Sequence, residues 1–359
     1  MIQVRVNAPS RTYEIEIETG LFDRLPVVFR ERYTGRRLAL VCDDTVYALY
    51  GERFAHGLTQ QGFDTITVTF PAGEQHKNLA TLDRIYQALA NANFTRSDYV
   101  VALGGGVTGD MAGLAAATFL RGLGFIQIPT SLLAMVDSSI GGKVAIDMQQ
   151  GKNLIGAFYQ PDAVYTDPGL LNTLSDRLFA DGMAELIKHG LIRDKDLCQR
   201  LESLGSRESI SGHLDEIIAI SCRIKGSVVE QDENDNGVRQ LLNFGHTIGH
   251  AIEKVQNYNG LTHGEAVSVG MTVITRMTER LGLTKPGTCQ RLMNLLKSFN
   301  LPVDMPGISR EDLFRAILID KKSRSGFISI AYLREIGESD LIRWSFEELE
   351  EYMFAELEN

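Results

Sequence analysis

Four polar side chains, Arg239, Asn243, His246 and His250, follow one another at intervals of four, three and four residues. Residues three, four and seven positions apart lie on one face of an α-helix. The spacing therefore predicts a single helix with a polar face, and the mostly apolar residues between these positions indicate that it is buried. Because buried cationic and imidazole groups cost free energy unless they are paired or bound to a ligand, the segment indicates a functional site.

The histidines of this segment belong to a larger group of metal-ligating residue types that includes His263 and Glu185. Imidazole nitrogens and carboxylate oxygens are common ligands of divalent metals such as zinc. His246 and His250 have the i, i+4 spacing that allows two histidines of one helix to chelate a single ion. Glu185 precedes Lys188 by three residues, and the alternative interpretation of that pair is an ordinary surface ion pair. The residue types indicate a metal site without deciding which residues bind the ion.

A glycine-rich segment, Gly104–Asp110, follows an apolar strand and opens a helix of small residues. Glycines at such a turn let backbone N–H groups approach a phosphate, and the helix N-terminus favours a negative charge. Asp43 follows an earlier predicted strand, where a carboxylate can bind ribose hydroxyls. Gly73–Lys77 follows another strand. Together these turns favour a nucleotide site at one edge of a parallel sheet.

The predicted secondary structure changes near residues 168–178, from alternating strands and helices to helices. Before this point, short apolar strands alternate with helices, which is typical of βαβ units and a parallel sheet. These strands are 38–42, 65–70, 99–103 and 124–128. After it, the β pattern nearly disappears and helices are predicted at 179–192, 214–229, 241–255, 265–281 and 288–299. We therefore expect an α/β, Rossmann-like domain over residues 1–172 and an all-α, metal- and substrate-binding domain over 173–359.

Composition narrows the range of partners. The chain has 359 residues, which is longer than the length at which a single hydrophobic core usually stops growing, so two domains are expected. The net charge of -10 argues against nucleic acid and anionic membranes as partners. No apolar stretch is long enough to cross a bilayer, and the four cysteines are scattered without metal or redox spacing. These features favour a cytoplasmic protein.

Six motifs, taken in order, resemble the 3-dehydroquinate synthases of the sugar-phosphate cyclase superfamily. They are Gly104-Gly-Gly-Val-Thr-Gly-Asp110, Val136-Asp-Ser-Ser-Ile-Gly-Gly-Lys143, Gly151-Lys-Asn-Leu-Ile-Gly156, Ala184-Glu-Leu-Ile-Lys188, Asn243-Phe-Gly-His-Thr-Ile-Gly-His250 and His263-Gly-Glu265. The resemblance extends from Asp43 to Lys322. It implies NAD bound by the first domain, a divalent metal bound by the second, and a homodimer.

The resemblance also assigns cofactor positions. It implies that the metal, zinc with cobalt as an alternative, is bound by Glu185, His246 and His263. NAD would be contacted by Asp43, Glu74, Lys77, Gly105, Gly106, Val107, Thr108, Gly109, Asp110, Thr130, Ser131, Lys143 and Lys152. Ser131 replaces the usual threonine, and Asp147-Met-Gln-Gln150 replaces a different family sequence. Asp235 stands where glutamate is usual.

The implied substrate is 3-deoxy-D-arabino-heptulosonate 7-phosphate, which carries a carboxylate and a phosphate. His250 resembles the family's catalytic histidine. The other expected catalytic and substrate-binding residues are Arg121, Asp137, Lys143, Lys152, Asn153, Lys188, Lys225, Arg239, Asn243, Lys321 and Lys322. The implied reaction is transient oxidation by NAD, phosphate elimination, reduction, ring opening and aldol closure to 3-dehydroquinate.

Three other functions compete with this interpretation. Another sugar-phosphate cyclase would use similar residues on a different substrate. A metal-dependent polyol dehydrogenase of related architecture would have little use for so many basic residues. A non-catalytic sugar-phosphate sensor would not need His250 together with every expected metal ligand.

Overall fold

The computed structural model describes residues 1–320 and 326–357. They form two compact units. One comprises Met1–Leu174 and Lys225–Glu233, and the other comprises Ser175–Ile224 and the described residues from Asn234 onward. A long helix, Leu214–Gln231, contributes residues to both units, whereas the sequence-based boundary placed all of it in the second domain.

The first unit is built on a seven-stranded sheet. Its strands are β1 (Ile2–Ala8), β2 (Arg11–Ile17), β3 (Leu38–Asp43), β4 (Thr65–Phe70), β5 (Tyr99–Gly104), β6 (Gly124–Pro129) and β9 (Ala163–Thr166). Their order across the sheet is β1-β2-β9-β6-β5-β3-β4. β1 and β2 are antiparallel, and the remaining neighbours are parallel. The four strands predicted from apolar runs are confirmed, and β3 is almost entirely buried because both faces of a parallel sheet are covered.

Helices connect these strands: α1 (Leu25–Tyr33), α2 (Asp44–Val46), α3 (Glu52–Gln60), α4 (Leu79–Asn91) and α5 (Gly106–Thr118). From β3 the chain runs to β4 on one side, and then returns to β5 on the other side of β3. Such a reversal opens a crevice at the carboxyl ends of the strands, where α/β sheets bind ligands. Asp43 ends β3 and the glycine-rich segment follows β5, so both lie at this crevice.

A second, two-stranded sheet in the first unit was not predicted. It pairs β7 (Lys143–Met148) with β8 (Gly151–Phe158) in antiparallel register. The residues that differ from the family sequence, Asp147 to Gln150, form the end of β7 and the turn that follows it. The hairpin carries Lys143, Lys152 and Asn153 of the expected site.

The second unit is mainly helical. Its helices are α6 (Asp176–Arg193), α7 (Lys195–Leu204), α8 (Arg207–Ser211), α10 (His246–Val255), α11 (His263–Arg280), α12 (Thr288–Ser298), α13 (Arg310–Asp320) and α14 (Phe346–Leu357), and the helix shared by both units is α9. The middle of α6 and most of α11 are buried. The expected order of a parallel-sheet, Rossmann-like region followed by a helical region is confirmed.

The near absence of strands after residue 169 was a wrong prediction. β10 (Phe327–Glu335) and β11 (Glu338–Ser345) form an antiparallel hairpin in the second unit. The strand signal was present, because residues 327–333, Phe-Ile-Ser-Ile-Ala-Tyr-Leu, are rich in the β-branched and aromatic residues that favour strands.

The single helix predicted from Arg239 to His250 was also wrong. Residues Val238–Asn243 form a 3-10 helix, and α10 begins only at His246. Between them Gly245 has a φ of 82°, and a Cβ there would lie 2.6 Å from Cγ of Met271 and 2.7 Å from the carbonyl oxygen of Val267. The close packing of α10 on α11 therefore requires a glycine in a left-handed conformation, which ends the first helical segment.

Within the described residues, no helix is both long enough and apolar enough to cross a membrane. Cys42, Cys198, Cys222 and Cys289 are all buried free thiols.

Candidate active site

Three potential metal ligands come together in the second unit, each from a different helix. Glu185 lies in the buried middle of α6, His246 is the first residue of α10, and His263 is the first residue of α11. Oε1 of Glu185 lies 3.5 Å from Nε2 of His246 and 3.7 Å from Nε2 of His263. The structure therefore brings together the three residues expected to bind a metal.

The geometry and chemistry of this group fit a zinc or cobalt ion. Two ligand atoms at about 2.1 Å from a tetrahedral zinc ion lie about 3.4 Å from each other. The two nitrogen-to-oxygen distances are 3.5 and 3.7 Å, and all three ligand atoms lie within 4.8 Å of one another. Two imidazoles and one carboxylate leave a tetrahedral ion an open position, as catalytic zinc sites require.

Glu185 also forms an ion pair with Lys188 through its other oxygen, Oε2. The relative exposure of the two side chains is 0% for Glu185 and 1% for Lys188. The alternative of a surface ion pair is therefore excluded by burial. The carboxylate is held from one side by an ammonium group and faces two imidazoles on the other.

The two histidines have opposite pKa shifts. Burial, reinforced by the nearby Lys188 ammonium, lowers the pKa of His246 well below its ordinary value. Burial also opposes the charged form of His263, but its hydrogen bonds to Glu185 and Glu253 outweigh that effect and raise its pKa to about 10.

The start of α11 is anchored by two acidic side chains that the sequence did not single out for this role. Thr262 and Glu265 form a reciprocal capping box around His263. Asp181 accepts a 2.6 Å hydrogen bond from the backbone N–H of Gly264. Burial raises the pKa of Asp181. These contacts determine where the His263 side chain leaves the helix.

The other residues of the opening motif divide between two segments. Arg239 and Asn243 lie on the 3-10 helix before Gly245, and Arg239 is only 2% exposed. His250 lies one turn after His246 on α10, with its ring centroid 5.3 Å from that of His246 and 5.9 Å from that of His263. His250 is therefore next to the metal-ligand group but is not one of its three members.

The expected nucleotide residues of the first unit lie at the carboxyl ends of four strands: Asp43 is the last residue of β3, Glu74 and Lys77 follow β4, the glycine segment follows β5, and Thr130 and Ser131 follow β6. Gly105 is the N-cap of α5. The N–H groups of the first helical turn, Gly106–Thr108, have no partner inside the helix and can bind a phosphate.

Lys77 lies at the centre of a polar cluster on this edge. It is 4% exposed, and its Nζ lies 2.6 Å from Oδ2 of Asp110 and 2.5 Å from Oδ1 of Asn153. Burial opposes the charge of Lys77, but Asp110 and Glu74 raise its pKa. Burial raises the pKa of Asp110 to about 6, although Lys77 acts in the opposite direction.

The β7–β8 hairpin is attached to this cluster through Asp147. The backbone N–H of Asp147 donates to the carbonyl oxygen of Lys77 at 2.8 Å, and its Oδ1 accepts from the N–H of Asn153 at 2.8 Å. Lys152 lies 3.6 Å from Glu74. Asp147 thus has a structural role that sequence comparison with the family pattern did not reveal.

Lys225 and Asp137 form a second pair within the first unit. Nζ of Lys225 lies 2.6 Å from Oδ1 of Asp137 and 2.7 Å from its backbone oxygen. Lys143, at the start of β7, is exposed.

Arg121 lies at the opposite edge of the sheet. It precedes the amino end of β6, in a left-handed turn with a φ of 66°. There it lines a cavity of about 530 Å³ together with Arg11, Arg36 and Arg96. Within the first unit it is therefore not brought together with the nucleotide residues. Lys321 and Lys322 lie outside the described residues.

Comparison with known proteins connects these sites to a family. The model of the 3-dehydroquinate synthase N-terminal region matches residues 67–181, and that of the C-terminal region matches residues 182–323. The 3-dehydroquinate synthase of Clostridium acetobutylicum is 46% identical, over 95% of this chain and 96% of its own. That of Enterococcus faecalis is 44% identical, over 99% of each chain.

Solved structures of sugar-phosphate cyclases share the fold. A 2-deoxy-scyllo-inosose synthase complexed with carbaglucose-6-phosphate, NAD+ and Co2+ has a TM-score of 0.89, with 25% identity over 98% of this chain and 99% of its own. The 2-epi-5-epi-valiolone synthase of Streptomyces hygroscopicus, with NAD+ and Zn2+ bound, has a TM-score of 0.87 and 26% identity over 99% of each chain. From its two matched regions and its full-length relatives, the chain belongs to the 3-dehydroquinate synthase family.

Proposed function

We propose that this chain converts 3-deoxy-D-arabino-heptulosonate 7-phosphate to 3-dehydroquinate and phosphate, in the shikimate pathway of aromatic amino-acid biosynthesis. The observation that carries the proposal is the group of Glu185, His246 and His263, with nitrogen-to-oxygen distances of 3.5 and 3.7 Å, in a chain of this family. The reaction class is a phosphate-eliminating cyclisation, and the enzyme is a carbon–oxygen lyase.

We assign the metal to Glu185, His246 and His263, with zinc as the expected ion and cobalt as a substitute. When bound, the ion supplies Lewis acidity that makes a neighbouring substrate hydroxyl more acidic. The support from this chain is the donor set itself. Lys188 holds Oε2 of Glu185, so that Oε1 remains directed toward the two imidazoles.

We assign NAD to the carboxyl edge of the sheet in the first unit. The cofactor supplies a hydride acceptor and then a donor, and is regenerated in each cycle. The first turn of α5 would hold its pyrophosphate through backbone N–H groups. Asp43 would accept hydrogen bonds from ribose hydroxyls. Glu74, Lys77, Asp110, Thr130 and Ser131 line the same edge, with Lys143 and Lys152 on the adjacent hairpin.

We assign the polyanionic substrate to cationic side chains, which form charge-assisted hydrogen bonds with carboxylate and phosphate. They are Lys143, Lys152, Lys188, Lys225 and Arg239, with Asn153 and Asn243 as neutral partners and Asp137 orienting Lys225. His250 would transfer the hydroxyl proton, because imidazole is the side chain most often used for this purpose. Arg121, Lys321 and Lys322 remain proposals from the family resemblance alone.

Sequence identity favours the heptulosonate over the substrates of other cyclases. The 3-dehydroquinate synthases of Clostridium acetobutylicum and Enterococcus faecalis are 46% and 44% identical to this chain, whereas the two solved cyclases are 25% and 26% identical. A structure described as a probable glycerol dehydrogenase of Sinorhizobium meliloti shares the fold with a TM-score of 0.63 at 15% identity. That likeness concerns the fold only and does not favour net hydride transfer.

We further propose an NAD-binding domain over residues 1–172, a metal- and substrate-binding domain over 173–359, a homodimer and a cytoplasmic location. The dimer and the location rest on the family resemblance and on the scattered, buried cysteines.

The proposed function is tested by incubating purified protein with zinc, a catalytic amount of NAD and the heptulosonate phosphate. We expect equal amounts of phosphate and 3-dehydroquinate, without accumulation of NADH. Stoichiometric NADH would instead indicate a dehydrogenase. A carbocycle formed from glucose 6-phosphate, with no reaction of the heptulosonate, would indicate a different cyclase.

A further inference from the structure

Glu253 is a buried carboxylate beside the metal-ligand group that the sequence reasoning did not include. It lies on α10, seven residues after His246 and three after His250, and is 4% exposed. Its Oε2 lies 3.3 Å from Nδ1 of His263. Burying a carboxylate costs free energy unless the group is paired or hydrogen-bonded, so the contact with His263 helps to stabilise Glu253 in its buried position.

His246 and His263 are oriented by the same kind of contacts. Nδ1 of His263 contacts Glu253, while its Nε2 lies 3.7 Å from Oε1 of Glu185. Nδ1 of His246 lies 3.2 Å from the backbone oxygen of Phe244, while its Nε2 lies 3.5 Å from the same Glu185 oxygen. Each ring therefore has an acceptor at Nδ1 and directs Nε2 toward the shared carboxylate.

An imidazole binds a metal in its neutral form, and in that form this arrangement places the remaining proton of each ring on Nδ1. A ring nitrogen that donates its proton to an acceptor leaves the lone pair on the other nitrogen, and only a lone pair can bind a metal. For His246 the acceptor is a neutral backbone carbonyl, fixed by the turn at Gly245. For His263 the acceptor is a charged side chain, which in addition increases the basicity of the ring.

We propose that Glu253 is a positioning residue for metal binding: it accepts the Nδ1 proton of His263 and so presents Nε2 to the ion held with Glu185 and His246. This inference rests on the proposed metal site. Metal affinity would then depend on the Glu253 carboxylate, although Glu253 does not bind the ion. Outer carboxylates of this kind contribute about 10–100-fold to metal affinity.

One alternative is that Glu253 is itself a ligand, because His250, Glu253 and His263 also have ligand atoms within 4.8 Å of one another. Glu253 contacts Nδ1 of His263, whereas Nε2 of that ring faces Glu185. The geometry favours the positioning role, since Glu253 meets the same nitrogen of His263 that the Phe244 carbonyl meets in His246.

The test measures metal binding to the metal-free full-length chain, in the absence of substrate. Zinc affinity is determined by competition with a chromophoric chelator, and the visible absorption of the cobalt form reports the ligand geometry. The variants are Glu253→Gln, which keeps a hydrogen-bond acceptor, and Glu253→Ala, which does not. Glu347→Gln, an exposed position at the start of α14, removes the same charge as a control.

We expect Glu253→Ala to weaken zinc binding about 10–100-fold and to alter the cobalt spectrum, with Glu253→Gln recovering part of the affinity. Glu347→Gln should match the unmodified chain. Unchanged affinity in both Glu253 variants would overturn the inference while leaving the metal site in place. Loss of binding in Glu253→Gln as complete as in His263→Ala would show a ligand and overturn it too. An unmodified chain that binds no zinc would overturn the metal site and this inference together.

Discussion

Lys188 donates to one oxygen of the Glu185 carboxylate, and the two side chains are among the most deeply buried ionic groups of the second unit. The other oxygen of Glu185 faces His246 and His263. The metal-free chain therefore contains a buried ion pair at the position where we propose a divalent cation.

Replacing Lys188 with methionine should destabilise the metal-free chain more than the zinc-loaded chain. Removing one partner of a buried ion pair typically costs about 3–5 kcal/mol, because the remaining charge loses compensation. Bound zinc supplies positive charge to Glu185 and should recover much of that loss. Urea unfolding of both forms measures the difference, and an equal loss with and without zinc would contradict this electrostatic account.

The three histidines should separate into two classes when each is changed to alanine. His246→Ala and His263→Ala remove a nitrogen that faces Glu185, so we expect them to lose bound metal. His250→Ala should retain the metal and turn over slowly, since its ring lies beside the ligand group but outside it. Metal analysis of the purified variants checks this, and similar metal loss in all three would refute the division.

Gly245→Ala should be strongly destabilising. A non-glycine residue at a φ of 82° is strained by about 1–2 kcal/mol, and the added Cβ would lie 2.6 Å from Met271 and 2.7 Å from the Val267 oxygen. Overpacking of that kind adds about 1–3 kcal/mol. Gly282→Ala is the matched control, because its φ is 73° but a Cβ there meets nothing within 4 Å. Thermal unfolding should show the larger loss for Gly245→Ala, and equal losses would be evidence against the close approach of α10 and α11.

Asp110 should make a distinctive contribution to the pH dependence of stability. Its pKa in the folded chain is raised by burial to about 6, from an ordinary value of 3.8. Between pH 3.8 and about 6 the folded chain therefore retains a proton on Asp110 that the unfolded chain has released. The stabilisation of the folded chain by this proton is full below pH 3.8 and is lost as the pH rises through about 6.

The comparison with Asp110→Asn isolates this effect, because the other titrating groups are common to both proteins. We expect the free energy of unfolding of the unmodified chain, relative to the variant, to fall as the pH rises from 4 to 7. Urea unfolding at several pH values measures it. A relative stability that rises over this range would mean that Lys77, 2.6 Å away, dominates the titration of Asp110.

Much of the site could be predicted from local sequence. Asp43 and Gly105 follow buried strands, and the carboxyl ends of parallel strands meet at one edge, so the position of a nucleotide site follows from pattern and topology. The identity of the metal-ligand group came from the family resemblance. Helical spacing alone allowed His246 and His250 to chelate one ion.

Other features depend on contacts between segments far apart in sequence. Asp147 joins the β7–β8 hairpin to Lys77 through a hydrogen bond of 2.8 Å from its backbone N–H to the Lys77 carbonyl, and it accepts a second bond of 2.8 Å from Asn153 within the hairpin. Arg121 belongs to a motif-rich stretch, yet the turn before β6 directs it to the edge opposite the nucleotide residues. Neither relationship has a local signal.

The sequence by itself determined the fold class, the strands that end in polar turns and the residue types for metal chemistry, because these follow from periodicity and side-chain chemistry. Only the tertiary structure decided that Gly245 interrupts the Arg239–His250 segment and that Glu253 meets His263. The physical reason is that both depend on how closely α10 packs against α11, a distance set by side chains on both helices and not by either sequence segment alone.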